Sequence, residues 1–230
     1  MTSENKNSRF FKTLLILALS TAAVLQGCAG SLNPEKAREL EAAEIKEYQG
    51  EKLGSITDFN ENSIKGPQYV DISAYRLKIT GLVNKPMSYT YDDVISKHQA
   101  YTKLLTINCV EGWSVKILWE GLQLKDLLDE ANVKPEAKVV IFHAYDGYTT
   151  SLPLQYIFDK NLLLAYKMNG IILPPERGYP FELVAEDKWG YKWIKWVNEI
   201  ELSDNTNYTG YWESEGYSND GSLDKSFFNR

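Results

Sequence analysis

Six short runs of strand-forming residues, at 75–83, 101–108, 138–144, 162–168, 181–185 and 195–202, recur from Val70 onward with only two helix signals between them. Runs of this length, rich in β-branched and aromatic residues and bounded by turn residues, read as strands. The helix signals are of two kinds. Thr90 is placed to cap a helix over 91–97 with Asp92 and Asp93 in its first turn, and Leu122, Leu124, Leu127, Leu128 and Ala131 form an apolar stripe at helical spacing. A doubly wound nucleotide fold needs regular strand–helix alternation and a glycine-rich phosphate loop, and the chain has neither GxGxxG nor a P-loop. The pattern predicts an α+β domain built on a mixed sheet, over residues 70–204. There is no internal repeat.

The chain of 230 residues has only two cysteines, Cys28 and Cys109. Lys6, Arg9 and Lys12 precede an apolar run from Leu14 to Leu25, and Leu25-Gln26-Gly27-Cys28 closes it. That order is a secretory leader, too short to span a bilayer comfortably, and its last four residues resemble the lipidation box of bacterial lipoproteins. The expectation is a signal peptide over 1–27, a lipid on Cys28, and an extracytoplasmic protein held at the cell membrane. Residues 28–69 are then expected to be a tether and linker. Asn33-Pro34-Glu35 is an N-cap, a first-turn proline and an acid at the positive helix end, which predicts a helix from Pro34 to about Tyr48, polar on most faces. Removing residues 1–27 leaves 22 basic against 30 acidic residues, net −8, and an acidic chain repels nucleic-acid phosphates. Residues 205–230, rich in Asn, Ser, Gly and aromatics, are expected to wrap the surface or fray.

With Cys28 lipidated no disulfide is possible, and Cys109 is left as a lone thiol in Thr106-Ile107-Asn108-Cys109-Val110-Glu111-Gly112-Trp113-Ser114. Such a thiol is a metal ligand, a catalytic group or a buried apolar filler. Two histidines, His98 and His143, are too few for a zinc or iron set. Three other segments accompany the cysteine. Ala144-Tyr145-Asp146-Gly147-Tyr148 reads as a strand, an Asp-Gly turn and a returning strand. Leu173-Pro174-Pro175-Glu176-Arg177-Gly178-Tyr179-Pro180 is a rigid loop. Trp189-Gly190-Tyr191-Lys192-Trp193-Ile194-Lys195-Trp196 either presents backbone N–H groups and lysine charge to a phosphate or is a strand with a tryptophan-rich inner face.

In order and approximate spacing, Asn108 to Ser114, Asp146 to Pro153, Leu164 to Gly170, and Gly190-Tyr191-Lys192-Trp193 with Lys195-Trp196 together resemble the molybdopterin-binding domain of the sulfite oxidase family, from about Tyr75 to Ser218. The resemblance implies molybdenum held by the dithiolene sulfurs of a pterin and by one protein thiolate, matched by Cys109, with Asn108 beside it. A soft sulfur donor suits such a redox-active centre, and metal binding keeps the thiol deprotonated. Oxygen-atom transfer coupled to a two-electron change of the metal is the implied reaction. Tyr148 falls where the family has a pocket tyrosine, whose phenol is expected to hydrogen-bond a substrate oxyanion. Lys192, with Gly190 and Tyr191, falls where the family contacts the pterin phosphate.

Two departures bear on the substrate. Arg177 stands where many relatives have His, and is expected to serve as a phosphate donor. Glu182 stands where they have Arg, and a carboxylate in an anion pocket disfavours sulfite. The expected substrate is a small sulfur oxyanion or an S-oxide, with a slight lean to a neutral S-oxide. No Cys-x-x-Cys-His is present, so electrons are expected to pass through a separate protein. Ser8-Arg9-Phe10-Phe11-Lys12 carries one arginine where a twin-arginine export signal has two. The competing expectation is an inactive lipoprotein that keeps the fold as a binding module.

Overall fold

The computed structural model describes residues 32–228. The leader and Cys28 lie outside the described residues. In chain order the helices are α1 (Pro34–Ala43), α2 (Tyr91–Lys97), α3 (Leu124–Ala131), α4 (Leu154–Lys160) and α5 (Tyr211–Ser214). The strands are β1 (Glu47–Tyr48), β2 (Glu51–Lys52), β3 (Leu77–Gly81), β4 (Met87–Tyr89), β5 (Tyr101–Asn108), β6 (Ser114–Gln123), β7 (Val139–Ala144), β8 (Thr149–Pro153), β9 (Leu163–Met168), β10 (Ile171–Ile172), β11 (Glu182–Val184) and β12 (Val197–Ser203).

Two five-stranded sheets carry the domain. One runs β4-β3-β12-β7-β8, with β12 parallel to β3 and antiparallel to β7. The other runs β10-β9-β6-β5, with β11 also paired to β9. Mixed orientation with helices between strands is the expected α+β class. β7 and β9 have every residue but one buried, so their near-continuous apolar runs belong to strands covered on both faces. The core joins both sheets, and Trp119 on β6 meets Trp193 at a ring separation of 5.4 Å.

Local chemistry sets the helix ends. Thr90 and Asp93 form a reciprocal capping box that starts α2, with Thr90 Oγ1 accepting from the Asp93 N–H at 3.0 Å. α1 begins at the expected Asn33 cap but stops at Ala43, short of Tyr48. The cause is Glu44, which leaves the helix at ψ 150° and turns into the core. Its Oε2 accepts from the Ile56 N–H at 2.9 Å and from Asn169 Nδ2 at 3.1 Å. A buried carboxylate needs such donors, so the segment taken for a free polar tether docks on the domain, with Leu40 also buried.

β6 is a ten-residue strand where only the start of a helical stripe was expected, and it hands over directly to α3 at Leu124. β5 and β6 form a hairpin registered from Tyr101↔Gly121 to Asn108↔Ser114. Its turn holds the lone cysteine: the Cys109 N–H donates to the Trp113 carbonyl at 2.9 Å and the Gly112 N–H to the Cys109 carbonyl at 3.1 Å. The β7–β8 hairpin turns through Asp146-Gly147 as expected, with Gly147 at φ 90°.

Candidate active site

A cavity of about 580 Å³ opens where these turns converge. Its walls come from the Cys109 turn, the β7–β8 turn, the Pro175–Arg177 and Gly190–Lys192 turns, the segment 59–66, and the C-terminal residues Trp212 and Tyr217. That volume is in the range of small-molecule and cofactor sites.

Cys109 lies on the wall of the cavity and is only 8% exposed. Its Sγ accepts from Asn62 Nδ2 at 3.6 Å. Burial pushes the thiol above its ordinary range, opposed by the Glu111 and Val110 N–H groups and by Asn62. A metal bound to this sulfur would supply the charge that favours the thiolate. Trp113 stands beside it, with Nε1 donating to Glu111 Oε2 at 3.1 Å and its ring edge-on to Phe59 at 5.6 Å.

The Gly190–Lys192 turn backs directly onto this loop. A Cβ on Gly190 would sit 3.3 Å from the Asn108 carbonyl oxygen and 3.5 Å from the Cys109 Cα, so the turn lies close against this loop and a side chain there would press on it by a few tenths of an ångström. Asn108 is backbone-bridged to Trp189, and its side chain donates to the Thr106 carbonyl at 3.3 Å. Asn108 thus positions the loop from behind and is not among the cavity-lining residues.

Arg177 lines the cavity but is 4% exposed, its guanidinium anchored by the carbonyls of Ile56 at 2.9 Å and Phe59 at 3.0 Å and laid over the Phe59 ring at 5.0 Å. Glu182 on β11 is buried on the same wall. Desolvation raises its carboxyl to about 8 against the pull of Lys195 and Arg177. Lys195 does not neutralise it alone, because its Nζ is bound to Glu61 Oε1 at 2.5 Å.

Two of the expected site residues have protein partners in this structure. Lys192 was expected to reach the pterin phosphate; its ammonium is instead fully buried in an ion pair with Glu213, donates to the Ser151 carbonyl at 3.1 Å, and is absent from the cavity lining. An ammonium in a dry interior needs a counter-charge, and Glu213 supplies it. The cations that do line the cavity are Lys65, Arg177 and Lys195. Tyr148 does line the cavity, but its hydroxyl donates to the Tyr191 carbonyl at 2.6 Å. With burial holding the phenol well above its ordinary range, its one proton is committed to that carbonyl rather than to a ligand. Tyr191 lines the cavity too, its hydroxyl donating to the Ser218 carbonyl at 2.7 Å.

Among the described residues no group of three or more His, Cys, Asp and Glu side chains could hold a metal. A single thiol on the wall of a large cavity can supply one ligand to a metal whose other ligands arrive with an organic group. The aromatic walls of Phe59, Trp113, Trp212 and Tyr217 suit a planar ring, and Arg177 and Lys195 suit an anionic end. Fold and site thus fit a protein able to offer one sulfur to a metal centre carried by a cofactor.

Residues 64–212 match the family profile of the oxidoreductase molybdopterin binding domain. The chain belongs to this family: it is a molybdenum oxidoreductase of the sulfite oxidase type, and its cofactor is molybdenum with molybdopterin. It is 38% identical over 152 residues to the uncharacterized oxidoreductase YuiH of Bacillus subtilis (strain 168), covering 66% of this chain and 76% of YuiH. It is 32% identical over 147 residues to the protein-methionine-sulfoxide reductase catalytic subunit MsrP of Gluconobacter oxydans (strain 621H), covering 56% of this chain and 47% of MsrP. Among solved structures, the sulfane dehydrogenase SoxCD from Paracoccus pantotrophus superposes with a TM-score of 0.58 at 29% identity, over 61% of this chain and 41% of that one. The chain spans about three quarters of YuiH but less than half of the other two.

Three contributors to the cavity escaped the sequence reading. The segment 59–66 looked like featureless loop, yet it brings Asn62 to the cysteine and Glu61 to Lys195. Trp212 and Tyr217 come from the tail, where the concentration of aromatics was the available signal.

Proposed function

We propose that this chain is an extracytoplasmic, lipid-anchored enzyme that catalyses two-electron oxygen-atom transfer at sulfur, acting on a neutral S-oxide in preference to a sulfur oxyanion. The observation that carries the substrate preference is the charge of the cavity. Glu61, Glu111, Asp146 and Glu176 line it against three cations, Lys65, Arg177 and Lys195, while burial keeps Glu182 mostly protonated at neutral pH, and one of those cations is already paired with Glu61. A sulfite dianion entering that field meets net repulsion, whereas a neutral S-oxide does not. The 32% identity to a protein-methionine-sulfoxide reductase catalytic subunit supports the same choice.

Bound molybdopterin supplies a metal centre that changes by two electrons as the oxygen atom is transferred. The residues of this chain have separate tasks. Cys109 would hold the metal and tune it through sulfur donation, with the Asn62 amide donating to that sulfur. Arg177 and Lys195 would hold the anionic end of the cofactor, and the aromatic walls would exclude water from the reacting region. Electrons come from a separate redox protein, and a lipid on Cys28 keeps the enzyme at the membrane. Nucleic acid is not a partner of so acidic a chain.

Purified holoprotein tests the reading with two assays: oxidation of reduced methyl viologen by a methyl sulfoxide, and reduction of ferricyanide by sulfite. The expected result is turnover in the first and little in the second. Efficient sulfite oxidation without S-oxide reduction would reverse the proposed preference.

A further inference from the structure

We infer that Glu213 is a positioning residue for the cofactor: buried against Lys192, its carboxylate clamps the Gly190–Lys192 turn onto the Cys109 loop. Glu213 stands on α5, one residue beyond the segment that matches the family domain. Its side chain is fully buried, and Oε1 accepts from both Lys192 Nζ and Thr150 Oγ1, the latter at 2.5 Å. Oε2 is buried without a hydrogen-bond partner. A carboxylate held in the interior by one oxygen depends on its ammonium partner, and the dependence is mutual, because Lys192 is equally dry.

The ion pair is the centre of a longer seam. Lys192 Nζ also reaches Asn219 Oδ1 at 3.4 Å, and the Tyr191 hydroxyl donates to the Ser218 carbonyl at 2.7 Å. The Trp189 N–H donates to the Gly221 carbonyl at 2.8 Å, and Lys188 pairs with Asp220 at 2.9 Å. Residues 188–192 are thus tied on one side to the C-terminal segment, while on the other side Gly190 rests on the backbone of Asn108 and Cys109. The C-terminal segment is itself fixed to β8. A Cβ on Gly210 would lie 2.3 Å from the Thr149 carbonyl oxygen, so its backbone is pressed against the strand. Position passes from β8 through Glu213 and Lys192 to the turn that faces the metal ligand. Lys192 therefore serves the cofactor through its place in the turn and not through its ammonium.

The test compares release of the cofactor from holoprotein. Glu213→Gln keeps the side-chain shape and removes the charge; Leu127→Ala, in the core of α3, serves as a control of at least equal loss in Tm. Each holoprotein is passed into cofactor-free buffer, and bound molybdenum and pterin are followed by mass spectrometry and by fluorescence of the oxidised pterin. Release at least 10-fold faster than wild type from Glu213→Gln, with wild-type retention in Leu127→Ala, is the expected result. Wild-type retention in Glu213→Gln overturns the inference, and so does equally fast release from the control, since the effect would then be general destabilisation. If Glu213→Gln does not fold, the double variant Lys192→Met/Glu213→Leu removes both charges together. It is expected to fold and still release cofactor at least 10-fold faster, and retention equal to wild type in that protein refutes the role.

Discussion

Replacing Glu182 with Gln should change the way stability depends on pH, in a direction set by the buried wall of the cavity. The carboxyl of Glu182 sits at about 8 in the folded chain against an ordinary value of 4.5, because desolvation outweighs the attraction of Lys195 and Arg177. An acid whose folded value is raised contributes fully below its unfolded value, and that contribution is lost as pH rises through the folded one. The penalty therefore accumulates between roughly pH 4.5 and 8. A gap of about 3.5 pH units at about 1.4 kcal/mol each gives an upper bound near 5 kcal/mol, and relaxation around the ionised group brings the expectation to about 2–4 kcal/mol. Gln is a neutral mimic of the protonated acid and carries no such slope. Urea unfolding at pH 5, 7 and 9 measures the difference. At pH 5 wild type and Glu182→Gln should agree within about 1 kcal/mol, and at pH 9 the variant should be the more stable by the amount above. Parallel curves, or a variant that is less stable at high pH, would mean that Glu182 is ionised and held by its two cations, and the reasoning would fail.

Tyr148→Phe removes the donor to the Tyr191 carbonyl and should cost about 1–2 kcal/mol in Tm-derived stability with a rate loss of about 10-fold or less; a loss of about 100-fold at unchanged stability would restore a direct catalytic role for the phenol. Gly190→Ala places a methyl against the Asn108 carbonyl and the Cys109 Cα, and should lower molybdenum content measured per folded chain; full content would show that the loop gives way freely. Intact mass of the mature N-terminus should show lipid on Cys28 in protein from its native host, with Cys28→Ala left uncleaved or released from membranes; an unmodified Cys28 in membrane-bound protein would end the anchor proposal.

The elements that announced themselves in the sequence are those whose signal is local. Tyr101–Asn108 is a short run of strand-forming residues that ends in a turn, and 91–97 begins with a side-chain cap, so both lie where their residues put them. β6 was hidden because Leu118, Gly121 and Leu122 interrupt the alternation begun by Val115, Lys116 and Ile117, and pairing on both edges by β5 and β9 overrides that weak local preference. The cysteine and the aromatic-lysine turn were legible as chemistry, since a lone thiol and an interleaved glycine are unusual in any context. The direction of Lys192 was not, because it depends on a carboxylate 21 residues away in a tail with no regular pattern. Glu44 is similar: its burial rests on Ile56 and Asn169, partners that only the folded chain brings together.

X-ray absorption at the molybdenum edge, on wild type and Cys109→Ser loaded in the native host, tests the central claim most directly. Wild type should show one more metal–sulfur neighbour than the variant, which keeps its fold and cofactor but loses turnover because a serine oxygen replaces the soft thiolate donor. Identical sulfur shells in the two proteins, with wild-type activity in Cys109→Ser, would contradict the assignment of Cys109 as the metal ligand.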